Sequence, residues 1–88
     1  EFIKEHIKRN LVRGIKEGYY RDSIDPEILA IIRMEQVQLA FDDKIFPRQD
    51  FDFKQIQMQL FDLFVYGITT DKGRESFEQH IQLENQNK

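Results

Sequence analysis

Apolar positions recur at helical spacing along the whole chain, and nowhere with the alternation that marks a strand. Ile3, Ile7, Leu11, Ile15 and Tyr19 fall every four residues, with Phe2 and Val12 beside them. That spacing lays one stripe along a helix, predicted over about residues 2–20. Lys4, Lys8, Arg9, Arg13 and Lys16 take its other faces, and Glu5–Arg9 and Glu17–Arg21 are ordered for i,i+4 ion pairs. Gly18 is expected to loosen its end.

A second helix is predicted over about residues 26–43, with Asp25 as cap, Pro26 in the first position and Glu27 facing the positive end of the dipole. Pro47 closes the region, and residues 44–51 read as a loop. Asp52 and Gln55 stand in capping-box spacing at the head of a third helix, predicted to about Thr69. Thr70 is placed to cap a fourth over about residues 71–83, with a short stripe of Phe77, His80, Ile81 and Glu84. Residues 84–88 form a polar tail expected to fray.

The second and third helices are apolar on too much of their circumference. Ile56, Met58, Leu60, Phe61, Leu63, Phe64, Val65 and Ile68 fill an arc of about 220° on the third, whereas a helix packed on one side needs little more than about 100°. Ile28, Leu29, Ala30, Ile31, Ile32, Met34, Val37, Leu39, Ala40 and Phe41 spread over most of the second. Each helix therefore calls for neighbours on two sides. Leaving three or four of these side chains in water would forgo roughly 1.5–3 kcal/mol each, against a total stability of about 5–15 kcal/mol.

Size sharpens that demand. Eighty-eight residues make one domain at most, and a chain this short buries only about 60–65% of its unfolded surface. With no cysteine, neither a disulfide nor a thiolate metal site can add stability, so oligomerisation is the expected source of further burial. A net charge of −3 and a pI near 5.3 lack the electrostatic footprint of a nucleic-acid surface. No apolar run suits a membrane span, the first residues lack the pattern of a signal peptide, and a cytoplasmic location is expected.

Candidate chemistry adds little. Neither His6 nor His80 has a Glu three residues before it, and no His-x-x-x-His pair exists, so no metal or other cofactor is expected. Asp22, Asp25, Asp50, Asp52 and Asp71 sit near helix boundaries, where caps and turns account for them. Ser23 lies in a turn and Ser76 on the fourth helix near Arg74 and Glu75, neither in a context that suggests a nucleophile. Gly14-x-x-x-Gly18 is flanked by Lys16 and Glu17 and reads as local packing or a helix stop rather than a membrane contact. No enzymatic arrangement is read.

The run from Leu11 to Ala30, with Arg13-Gly14-Ile15-Lys16-Glu17-Gly18-Tyr19-Tyr20-Arg21 leading through Asp22-Ser23-Ile24-Asp25 into Pro26-Glu27, resembles a recurrent feature of TetR-family C-terminal domains. Phe64-Val65-Tyr66-Gly67-Ile68-Thr69-Thr70-Asp71-Lys72-Gly73 is similar to the end of the last long helix in many members. The resemblance implies an all-α, four-helix fragment of an effector-binding and dimerisation domain. Its two long helices would pair with the same two of a second subunit in a four-helix bundle. The expected homodimer face is Met34, Val37, Phe41, Ile56, Leu60, Phe61, Phe64 and Ile68, and the expected effector-pocket residues on the first helix are Ile7, Leu11, Ile15 and Tyr19. The effector is an unknown small molecule, and DNA would be bound only through a helix-turn-helix domain that this chain lacks. The alternative is a stand-alone helical dimerisation or adaptor module that takes a partner helix in a groove.

Overall fold

The computed structural model describes residues 2–86, with side chains to Glu84, and is all-helical: α1 (Phe2–Lys16), α2 (Pro26–Ala40), α3 (Phe53–Ile68) and α4 (Asp71–Gln86). Each helix stops for a local reason. Gly18 takes φ +84, its N–H bonds to Ile15 O and that of Tyr19 to Gly14 O, which is a Schellman closure. Thus α1 ends at Lys16, and the predicted extension to Tyr20 is replaced by an extended strap. Glu17 and Arg21 consequently never share a helical face.

The α2 start is as predicted: Asp25 accepts from the N–H groups of Glu27 and Ile28, ahead of Pro26. The helix closes three residues earlier than expected, at Ala40. Asp42 Oδ1 draws the Lys44 N–H and Asp43 Oδ1 the Arg48 N–H, pulling the chain into turns. At α3 the capping box does not form, since Asp52 makes no side-chain cap bond. Thr70 does cap α4, its Oγ1 accepting from the Gly73 N–H at 3.1 Å. The helix runs on to Gln86 because no Gly or Pro interrupts it after Gly73, so fraying does not begin at Glu84; residues 87–88 lie outside the described part.

α2 and α3 form an antiparallel pair: Phe41 stacks on Phe53 at one end (centroids 4.6 Å), and Ala30 meets Ile68 at the other. α1 crosses the Ala30 end. Leu11, Ala30 and Ile68, 3%, 0% and 3% exposed, form the core there, with Ile7, Tyr20, Ile24, Leu29 and Phe64 packed around them. Ala30 has only a methyl group, so the three helices can converge on it. Lys4 and Lys8 of α1 both reach Glu27 of α2, at 2.9 and 3.1 Å, so two residues expected on a solvated face grip the neighbouring helix.

The strap after α1 lies against the α3–α4 corner. Arg21 N–H donates to Ile68 O and Thr70 N–H to Tyr19 O, an isolated antiparallel bridge centred on Tyr20 and Thr69. Around it, each helix end is capped from the other side. The Arg21 guanidinium donates to Gly67 O of α3 at 2.7 Å, and the Lys72 ammonium donates to Glu17 O just past α1 at 2.9 Å. Thr70 Oγ1 donates to Gly18 O. Two glycines make the approach possible: a Cβ on Gly14 would overlap the Tyr20 ring, and one on Gly73 would overlap the Tyr19 carbonyl.

Two outcomes follow. Gly73→Ala and Gly14→Ala should each destabilise the chain by about 1–3 kcal/mol through overpacking, and Gly18→Ala by about 1 kcal/mol through its positive φ, read as lowered urea midpoints. Glu27 is held below the ordinary carboxylate value by its bonds to Lys4 and Lys8. Its stabilising contribution is therefore present above that ordinary value and is lost as pH falls through the lower folded value. Urea titrations across acid pH should show a smaller pH dependence in Glu27→Gln than in the parent chain.

Candidate functional site

Helical phase places every covering element to one side of the α2–α3 pair. On α2, Ala30 and Glu27 turn toward α1, and Arg33 toward α3, where its guanidinium lies 5.2 Å from the Phe61 ring centre and 5.8 Å from that of Phe64. Partial burial against those rings lowers the Arg33 pKa from its ordinary value. On α3, Ile68 and Phe64 turn to the core, while Phe61 and Tyr66 meet Phe77 of α4 with centroids at 5.8 and 5.6 Å. The Tyr66 hydroxyl also donates to Glu78 Oε2 at 3.0 Å, and this raises the Tyr66 pKa.

The opposite phase of both helices is uncovered and apolar. Ile28 and Ile32 of α2 are 54% and 43% exposed, and Leu63 of α3 is 68% exposed. At about 100° per residue these positions lie away from Ala30 on one helix and away from Val65 on the other. Half-buried Leu39 and Leu60 and buried Ile56 lie at the same phase, so it is uncovered only around Ile28, Ile32 and Leu63. At one end Phe46 and Phe51 of the connecting loop, packed edge to face at 5.4 Å, join Ile56 and Leu60 around an apolar groove of about 230 Å³. The polar side chains that line it are two neutral amides, Gln55 and Gln59, and the carboxylate of Asp52.

The structure distributes the eight residues expected at a dimer face between two environments. Leu60 belongs to the open face, and Ile56, itself buried, lies in the same phase at the loop end. Phe61 and Phe64 lie under Arg33, Ile68 is core, and Phe41 is on Phe53. Met34 and Val37 are half-buried on the Ala30 side of α2. Ile28, Ile32 and Leu63, exposed on the opposite phase, are not among those eight. The small side chains carry the signal that would have found them: Ala30 and Ala40 are buried, which marks the inner face of α2 and leaves the isoleucines opposite.

The four expected pocket residues do not line one cavity. Leu11 is core, Ile7 packs against it, Ile15 is half-buried, and Tyr19 has left the helix for the strap. There Tyr19 lines a cavity with Tyr20, Phe61 and Phe77. His6 is exposed, and His80 Nε2 lies 3.1 Å from Glu84 Oε1 on the exposed side of α4. Among the described residues no group of three His, Asp or Glu could hold a metal, and no helix is long and apolar enough to cross a membrane. No protein-family model, curated protein or solved structure matches the chain.

The Arg33 contact can be checked directly. Arg33→Met keeps an apolar stem over Phe61 and Phe64 but removes the cation, and should cost about 0.5–2 kcal/mol in urea unfolding. An unchanged midpoint would mean that the charge contributes nothing there.

Proposed function

We propose that this chain is the dimerisation and small-molecule-sensing part of a TetR-type transcriptional repressor, with the open face of α2 and α3 pairing with the same face of a second copy. The observation that carries the reading is the uncovered phase at Ile28, Ile32 and Leu63, on two antiparallel helices whose other neighbours lie to one side. Two such pairs brought together about a two-fold axis make a four-helix bundle with an isologous interface, in which each apolar residue is covered twice by symmetry. A second support comes from the segments that carry the resemblance. Gly14 to Arg21 and Gly67 to Gly73 are far apart in sequence, yet they interlock in the strap, where both glycines and both cations have defined tasks. In the parent protein, an effector favouring one arrangement of the sensing helices would shift the spacing of two DNA-reading heads, by no more than its differential affinity allows.

Sedimentation of the 88-residue chain tests the pairing. The parent chain is expected to be a dimer at micromolar concentration. Leu63→Asp and Ile32→Asp, both exposed in the protomer, should leave helicity unchanged and weaken the dimer by two orders of magnitude or more, because each change acts twice across the axis. A folded single-copy species at high concentration would overturn this reading, and association only with a different protein would favour the partner-helix alternative.

A further inference from the structure

We propose that the cleft between the strap, α3 and α4 binds a small, neutral, planar ring compound of one or two rings. This names the ligand class for the sensing half of the reading above and rests on that half, not on the pairing of α2 and α3. Tyr19 and Tyr20 come from the strap, Phe61 and Val65 from α3, and Ser76 and Phe77 from α4, around a cleft of about 200 Å³ that is open to solvent. An apolar cavity of about 150 Å³ is enough to take benzene, so the space here suits one ring or a fused pair.

Three features define the guest. First, four aromatic rings from three elements surround the space, and Phe77 already meets Phe61 and Tyr66 in edge-to-face contacts. A flat aromatic guest can continue that edge-to-face pattern, whereas a saturated ring offers no complementary quadrupole. Second, no charged side chain lines the cavity. The Lys72 ammonium, 4.5 Å from the centre of the Tyr19 ring, is already taken up by Glu17 O, and the Arg33 guanidinium lies against the Phe61 and Phe64 rings. A neutral guest needs neither cation. Third, the polar side chains among the lining residues, Ser76, Thr69 and the two tyrosines, all carry hydroxyls, a chemistry that suits a single N–H or O–H on the guest.

Position gives such a site a consequence. Its roof is the strap that joins the end of α1 to α3 and α4; the Thr70 N–H holds the Tyr19 carbonyl there, and Gly73 leaves room for it. A guest in contact with Tyr19 and Tyr20 therefore bears on the one segment that sets where α1 ends relative to the other helices.

Titration of the isotope-labelled chain with indole, followed by amide NMR, tests the site, with cyclohexanol as the non-planar probe. Indole should give saturable shifts at the amides of Tyr19, Thr69 and Gly73, with a Kd in the millimolar range or tighter. Ser76→Phe places a ring in the cavity from an exposed position on α4 and should raise that Kd at least tenfold; Ser76→Leu serves the same purpose if the first variant unfolds. The proposal is overturned by shifts that stay linear in indole, by shifts confined to Ile28, Ile32 and Leu63, by equal binding of cyclohexanol, or by a filled-cavity variant that binds as the parent does. Failure here leaves the dimer untouched, because sedimentation reads that independently.

Discussion

The arrangement of all four helices is set at one end of the molecule, where Ala30 lets Leu11 and Ile68 close around it and the strap bonds to the α3–α4 corner. The core at that point is small, and no large side chain among the described residues is wholly withdrawn from water. Hydrogen bonds that would otherwise go to solvent are therefore committed there: Arg21 of the strap satisfies a carbonyl at the end of α3, and Lys72 of α4 one just past α1. Such charge-assisted bonds are directional, and they fix an angle between helices that apolar contact alone would leave loose. The far end, where α2 turns into α3, is held by aromatic rings instead, with Phe41 on Phe53 and Phe46 against Phe51.

That unequal distribution explains the open face. With α1 committed to the Ala30 side of α2 and α4 to the Phe61–Tyr66 side of α3, none of the described helices is left to cover Ile28, Ile32 and Leu63. A domain of this size has a poor ratio of interior to surface, and its two most apolar helices are the ones with a bare side. The proposed pairing with a second copy would hide both sets of residues in one interface. The cavity beneath the strap is a separate feature, built by aromatic side chains that hold α4 off α3 rather than letting the two helices meet closely.

The local devices are legible in the order of residues. Asp25 with Pro26, and Thr70 before Asp71, act through neighbours two or three residues away, so their effect is visible in the sequence around them. The same holds for the excess of apolar residues on the second and third helices, which is a property of spacing alone. Asp52 and Gln55 show the limit: the spacing of a capping box permits the bonds but does not compel them, and here Asp52 is left without one.

What the linear chain determined by itself was therefore the number of helices, most of their ends, and the excess of apolar residues around two of them. Only the tertiary structure decided which side of each is used. Phe61, Phe64 and Ile68 are no less apolar than Leu63, and periodicity cannot rank them, because the choice depends on where Arg33, Leu11 and Phe77 arrive from other parts of the chain. The strap was equally hidden. Gly18 looks like a weak point in a helix until its neighbours, residues 67–73, come around to receive the segment that leaves it, and those partners lie some fifty residues further along.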